Sequence, residues 1–221
     1  MGVISVEQTD RLYWLGRYAE RVYTTIRLYF MAFDTMIDHG SENYRDFCAR
    51  LDIPEIYGSA DAFRTRYPFD ESDCNSIISN LKRAYDNAIV LREEIGSEAL
   101  SYIQLAMYAM QKARQSEAPL LEFQQLLDNL MAFWGMCDDW IADENVRNIL
   151  KVGKRVERID LYGRLHQNRV ELTREVHRLT GRVPRCNLKY RPEVLTKLAA
   201  LIQEEAIDYP AVVATIEQFL A

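Results

Sequence analysis

Histidine is scarce in this chain. His39, His166 and His177 are the full set, and none stands three residues after a glutamate. A di-metal carboxylate site in a helix bundle calls for paired Glu-x-x-His motifs plus two further glutamates, so no metal centre is expected, and Glu175-Val-His177 has the wrong spacing. The four cysteines, Cys48, Cys74, Cys137 and Cys186, are scattered, with no CxxC and no histidine at zinc spacing. They read as free, packed thiols in a reducing compartment. No stretch approaches about 18 uncharged apolar residues, so no membrane span is expected. Glu7, Asp10 and Arg11 precede any long apolar run, which argues against a secretory signal and makes the cytoplasm the expected location. Positive charge is in deficit, 27 Lys and Arg against 33 Asp and Glu, for a net charge of −6. That disfavours nucleic acid as a partner, though it leaves room for a local basic cluster. There is no Gly-Lys-Ser/Thr loop and no strand-linked GxGxxG, so neither nucleotide hydrolysis by this chain alone nor a bound cofactor is expected.

Proline and glycine are also few, six and nine, and they fall mostly between periodic segments. What they punctuate is helix. Ser5 with Gln8 fits a capping box, with Thr9 as a rival cap, for a helix through about 8–39. Its apolar seam runs Leu12, Leu15, Ala19, Val22, Ile26, Tyr29, Phe33, Met36, and His39-Gly40 is a stop signal. A short helix near 41–52 ends at Pro54, and Pro54–Pro68 reads as a loop with one helical turn or more. A helix over 72–95 aligns Ile77, Leu81, Ala84, Ala88, Leu91 and Ile95, and Gly96 breaks it. Further helices are expected over 97–115, from Pro119 to Trp140, over 143–167, over 168–180, and as two short pieces after Pro192 hinged near Asp208. The helix over 143–167 has the seam Ile149, Val152, Val156, Ile159, Gly163, His166. No alternating strand pattern competes. The expectation is an all-α, multi-helix bundle of about seven or eight helices, one domain over 1–221, with 183–221 as a helical extension.

Two of these helices repeat one sentence. Residues 15–28 and 152–165 align with a shift that carries Glu20 to Glu157, 137 positions on. Gly16 then falls on Gly153, Arg21 on Arg158, Arg27 on Arg164 and Leu28 on Leu165, inside matching apolar frames. Gly16 and Glu20 stack one turn apart, as do Gly153 and Glu157; Asp160 and Arg164 continue the second stripe. A glycine inside a helix costs about 1 kcal/mol against alanine, so two of them at matching places suggest close approach of a backbone or a ligand. Adjacent Glu20 and Arg21 point roughly 100° apart and need partners elsewhere. If the two motif helices pack as a pseudo-symmetric pair, Glu20 meets Arg158 and Glu157 meets Arg21. Three roles fit: a structural clasp that fixes which helix meets which, a polar pocket for an anionic or peptide-like ligand, or acid–base catalysis by Glu20 or Glu157. Arg83 and Asn87 stack beside the Leu81/Ala84/Ala88 seam and can either join such a pocket or face solvent. The acidic run Asp138-Asp139 with Asp143-Glu144 fits helix capping at a junction.

The segments Leu12–Arg21, Ser76–Ala88 with Leu91-Arg-Glu-Glu, and Ile149–Arg158 together resemble the bacterial alpha-E domain family, which is named for its helical content and Glu-Arg motifs. The resemblance implies an all-helical, cytoplasmic bacterial protein. It implies an association with ATP-grasp-type ligases (amidoligases) and transglutaminase-like peptidases, and a role in peptide synthesis or modification with a peptide or amino-acid ligand. No reaction attaches to the helical domain itself. The family motif marks Gly16, Arg17, Glu20 and Arg21, then Arg83 and Asn87, then Gly153, Glu157 and Arg158. The chain departs from the pattern at Ile89, where many members carry an arginine, and at Lys154-Arg155, where Arg-Tyr is common.

Overall fold

Ser5 and Gln8 form the expected capping box in the computed structural model: Gln8 N donates to Ser5 Oγ at 3.1 Å, and Ser5 N donates to Gln8 Oε1 at 2.7 Å. The structure describes the backbone of residues 4–39 and 43–221, and the side chains of 4–30 and 44–221. The seam positions Phe33 and Met36, and the stop residue Gly40, lie outside these described side chains and residues.

Among the described residues the chain is all-α. In order the helices are α1 (Val6–His39), α2 (Asn43–Arg50), α3 (Ala60–Arg66), α4 (Ile77–Val90), α5 (Arg92–Ile95), α6 (Ser97–Gln115), α7 (Pro119–Asp139), α8 (Glu144–Arg164), α9 (Arg169–Arg182), α10 (Pro192–Leu201) and α11 (Tyr209–Ile216). The count exceeds the expected seven or eight. One addition is α3, in the stretch read as a loop, where Ser59 Oγ accepts from Ala62 N and starts a helix. Another comes from the segment expected as one helix over 72–95. It starts later, because Ser76 caps α4, and it breaks at Leu91 before the short α5. No described helix is long and apolar enough to cross a membrane.

The chain divides into two compact units. The first takes residues up to Glu20 together with Ala142–Ala221; the second is Arg21–Ile141. In the second unit, α6 and α7 pack on each other and α4 packs on α6. Pro119 opens α7 at its first turn, and Gly96, at φ 84°, supplies the left-handed residue that separates α5 from α6. Phe63 sits fully buried among aromatic rings, stacked on Tyr67 at 4.8 Å and near Tyr44, Phe47 and Tyr57. Tyr57 donates to Asp73 Oδ2 at 2.8 Å. Along α7, Met131 is exposed while Leu127 and Trp134 are buried, and Trp140, just past its end, is exposed.

The first unit is built around α8. Asp143 caps it, with Oδ1 accepting from Asn145 N and Val146 N, so part of the acidic run at that junction does the expected work. Helices α9 and α11 pack on α8, and α10 packs on both of them. Residues 183–221 thus belong to the same unit as the second motif helix. The expected seam of α8 holds from Ile149 to Gly163, but His166 lies past the helix end at φ 50°, stacked on Tyr209 at 4.7 Å. The anomaly of α8 is burial on nearly every side of a highly charged helix. Lys151, Lys154, Arg155, Glu157 and Asp160 are all buried with its apolar seam. Charges are almost never fully buried without partners.

Candidate functional site

The two motif glycines bring two backbones into contact. A Cβ built on Gly16 would lie 2.0 Å from the Leu150 carbonyl oxygen and 3.1 Å from Lys154 N; one built on Gly153 would lie 2.1 Å from the Tyr13 oxygen and 3.2 Å from Arg17 N. The contacts are reciprocal under the sequence repeat, since Tyr13 and Arg17 map onto Leu150 and Lys154. Each glycine therefore presents its Cα–H to a carbonyl of the other helix, a weak hydrogen bond that only this close approach allows. No side chain larger than hydrogen fits at either place.

One turn along, the glutamates of the repeat are buried at 0% and 1% exposure, and each meets a guanidinium of the other helix. Arg158 sets both Nε and Nη2 2.6 Å from Glu20 Oε1. Arg17 sets Nε 2.6 Å from Glu157 Oε2 and Nη2 3.9 Å from Asp160 Oδ2. The Glu20–Arg158 pairing is the one the repeat suggested. Glu157 takes its cation within this unit from Arg17, one turn before the Arg21 that the repeat pointed to. The reason lies in the helix geometry: Arg17 shares a stripe with Tyr13 and Gly16, which already touch α8. The pseudo-symmetric counterpart of Arg17 is Lys154, and its Nζ lies 3.8 Å from Glu20 Oε2. Arg17 also covers the Trp14 ring, 5.0 Å from its centroid.

The network extends beyond the repeat. Glu175, on α9 and fully buried, accepts from Arg155 Nη1 at 2.6 Å and Arg178 Nη1 at 3.0 Å, with Arg158 Nη1 at 3.5 Å. Asp160 accepts from Arg164 Nε at 3.0 Å, and Arg164 reaches on to Glu217 at 2.6 Å. Sequence reasoning singled out neither Glu175 nor Arg155 for a role, and it met Lys154 only as a departure from the family pattern. A signal for Glu175 was available: it sits one turn from Leu172 and Leu179, on the buried face of α9.

The electrostatics follow the burial. Burial works against the charge of Arg158 and Arg17, but their carboxylate partners outweigh it and both are held above the ordinary arginine value. Burial would lift the Glu175 carboxyl, yet Arg155 and Arg158 hold it below the usual range. Lys154 goes the other way. Burial pulls it down to about 7, helped by the neighbouring Arg158, Arg155 and Lys151 and opposed by Glu20.

Gly16, Arg17, Glu20, Gly153, Glu157 and Arg158 thus come together in the first unit. Arg21, Arg83 and Asn87 belong to the second. There Arg83 donates to the Cys74 carbonyl at 2.7 Å, the Asn87 carbonyl accepts from Leu91 N at the end of α4, and the charge of Arg21 partly counters the upward push of burial on the Tyr67 phenol.

A family model described as a predicted alpha-helical domain with a conserved ER motif matches residues 8–197. The chain belongs to the Alpha-E family. Glu20-Arg21 and Glu157-Arg158 are its two ER pairs, and the match runs past Arg158, where the quoted motif segments stop, into α10. No curated protein and no solved structure matches the chain. In this Alpha-E domain each ER glutamate therefore serves as an anchor for a guanidinium of the opposite motif helix. Arginine stays protonated at any working pH, so such a carboxylate would have to break its pair to reach a substrate proton.

Proposed function

We propose that the ER motifs are a crossed clasp that fixes α1 against α8, and that the domain is a helical accessory or binding protein rather than a free-standing enzyme. The observation that carries the clasp is the reciprocal arrangement: two glycines in backbone contact and two buried glutamates, each with an arginine of the other helix 2.6 Å away. A general base needs a carboxylate that can reach a substrate proton. Glu20 and Glu157, at 0% and 1% exposure and already bound to guanidinium, are poorly suited to that. Following the family resemblance, the domain works in a bacterial cytoplasm beside an ATP-grasp-type ligase, in a peptide synthesis or modification system, with a peptide or amino-acid segment as ligand.

The test has two parts. A tagged full chain is expected to retain an ATP-grasp-type ligase encoded beside it in a pull-down. Glu157→Gln is expected to lower the melting temperature, and to lower ligase retention only as far as folding is lost. Turnover by the chain alone, abolished in Glu157→Gln at unchanged melting temperature, would overturn this reading in favour of an enzyme using Glu157 as acid or base.

A further inference from the structure

Residues 169–191 run against the charge of the rest of the protein. They carry seven Arg and Lys against two Glu, in a chain whose net charge is −6. Several of these cations are gathered rather than spread. Arg182 on α9 is half-buried and donates through Nη1 to Asn148 Oδ1 at 3.0 Å, while Asn148 Nδ2 donates to the Arg185 carbonyl at 3.4 Å. One buried amide from α8 thus holds both the Arg182 fork and the turn that presents Arg185. Arg155 and Arg178 close the cluster from α8 and α9, sharing Glu175 between them.

The charges do not balance. Arg158 also has Glu20, and Arg174 also has Glu171, which leaves Glu175 as the carboxylate of both Arg155 and Arg178. Arg182 and Arg185 are matched to no carboxylate among the described residues. Four guanidiniums against one carboxylate leave a surplus of three positive charges. Arg155 Nε, on a residue only 9% exposed, is a buried donor with no hydrogen-bond partner among the described residues. A buried donor left without an acceptor is costly, and in a native structure it asks for an unseen ligand or water. Burial and then the surrounding Arg155, Arg185, Arg147 and Arg178 all push the Arg182 guanidinium down, as expected where positive charge is concentrated.

We infer that Arg155, Arg178, Arg182 and Arg185, set by Asn148 and Glu175, form a binding site for a multiply charged phosphate-type oxyanion. The planar forks of arginine match phosphate oxygens in pairs, and a surplus of three charges suits a diphosphate better than a single carboxylate. The inference does not depend on the ER motifs being a clasp or on any ligase partner.

Isothermal titration of the full chain with inorganic pyrophosphate, at ionic strength held constant with sodium chloride, tests it. Saturable one-to-one binding is expected. Exposed Arg185→Gln weakens it by about tenfold, the scale of one charged hydrogen bond, and Arg182→Gln with Arg185→Gln weakens it further. Lys189→Gln, a charge loss in the same segment but outside the cluster, leaves it unchanged. ADP binding as tightly as pyrophosphate supports recognition of the diphosphate group itself, as does pyrophosphate binding alone. No saturable binding below about 10 mM at matched ionic strength, equal binding of acetate, binding of an RNA oligonucleotide but not of pyrophosphate, or loss in Lys189→Gln equal to that in Arg185→Gln overturns it. If the double variant fails to fold, Arg185→Gln decides alone.

Discussion

Alanine is the best helix former and glycine nearly the worst, so Gly→Ala inside a helix ordinarily stabilises by about 1 kcal/mol. At Gly16 the sign reverses. The added Cβ would stand 2.0 Å from the Leu150 carbonyl oxygen, about 1.4 Å short of ordinary contact, and the obstacle is helix backbone that cannot rotate away. The two helices must therefore separate by more than an ångström. That separation lengthens the 2.6 Å pairs at Glu20 and Glu157. Overpacking of this kind costs about 1–3 kcal/mol, and loosening buried ion pairs adds to it. Net of the propensity gain, Gly16→Ala is expected to destabilise by roughly 2–4 kcal/mol, or about 5–15 °C in Tm for a chain of this size. Gly153→Ala, which meets the Tyr13 oxygen at 2.1 Å, is expected to do the same, and the double variant to cost less than the sum because both open one interface. Gly135→Ala is the control. It lies on the exposed side of α7 with nothing within 4 Å, so it is expected to stabilise by up to about 1 kcal/mol. Urea titrations followed by circular dichroism give all four values. Gly16→Ala at or above wild-type stability, alongside the expected gain at Gly135, would refute the backbone contact.

Lys154→Met is expected to raise stability, because the lysine is held at about 7 in the fold against 10.5 when unfolded. Between those values the unfolded chain binds more protons, so wild-type stability should rise from pH 7 towards 10 by a few kcal/mol at most, and the variant should lose that slope in melting curves across the range. Glu175→Gln leaves Arg155 and Arg178 without their shared carboxylate and is expected to cost about 3–5 kcal/mol at neutral pH. Because the Glu175 carboxyl is held below its ordinary value, its contribution is present above pH 4.5 and lost as pH falls through the folded value, so the variant should show a flatter acid limb. Arg17→Met alone is expected to destabilise by stranding Glu157, whereas Arg17→Met with Glu157→Leu should recover most of the loss; a double-mutant cycle without coupling would contradict the pair.

What the sequence made legible was set by periodicity. Leu12, Leu15, Ala19, Val22 and Ile26 on α1, and Ile149, Val152, Val156 and Ile159 on α8, are all buried to 1% exposure or less, as their 3–4 spacing required. The glycines could be read for the same reason: an unfavourable residue at matching places in two helices has to be explained by proximity. Partner choice among charges was only half readable. Arg158 and Arg17 each stand near the seam, and which arginine meets which carboxylate depends on how two helices cross, which no single-helix pattern encodes. Glu175 was hard to read despite its place one turn from Leu172 and Leu179, because a glutamate beside an apolar stripe usually points to water. It turns inward here only because Arg155 and Arg158 reach α9 from α8. The break at Leu91 was missed because the apolar face continues through it to Ile95, so periodicity runs on where the backbone does not.

The clasp also imposes an order of assembly. Glu20 and Arg158 stand 138 residues apart. At synthesis rates of about 5–20 residues per second, α1 waits roughly 7–28 s for its partner to leave the ribosome. The whole of Arg21–Ile141, the second unit, is synthesised within that interval and is complete before Arg158 appears. Closing so distant a contact is slow, and a bare apolar seam waiting that long would invite aggregation. The arginines and glutamates beside the α1 seam keep that waiting surface hydrated. The charges that hold the finished pair together therefore also act as a solubility tag for the nascent chain, removed from water only when α8 arrives.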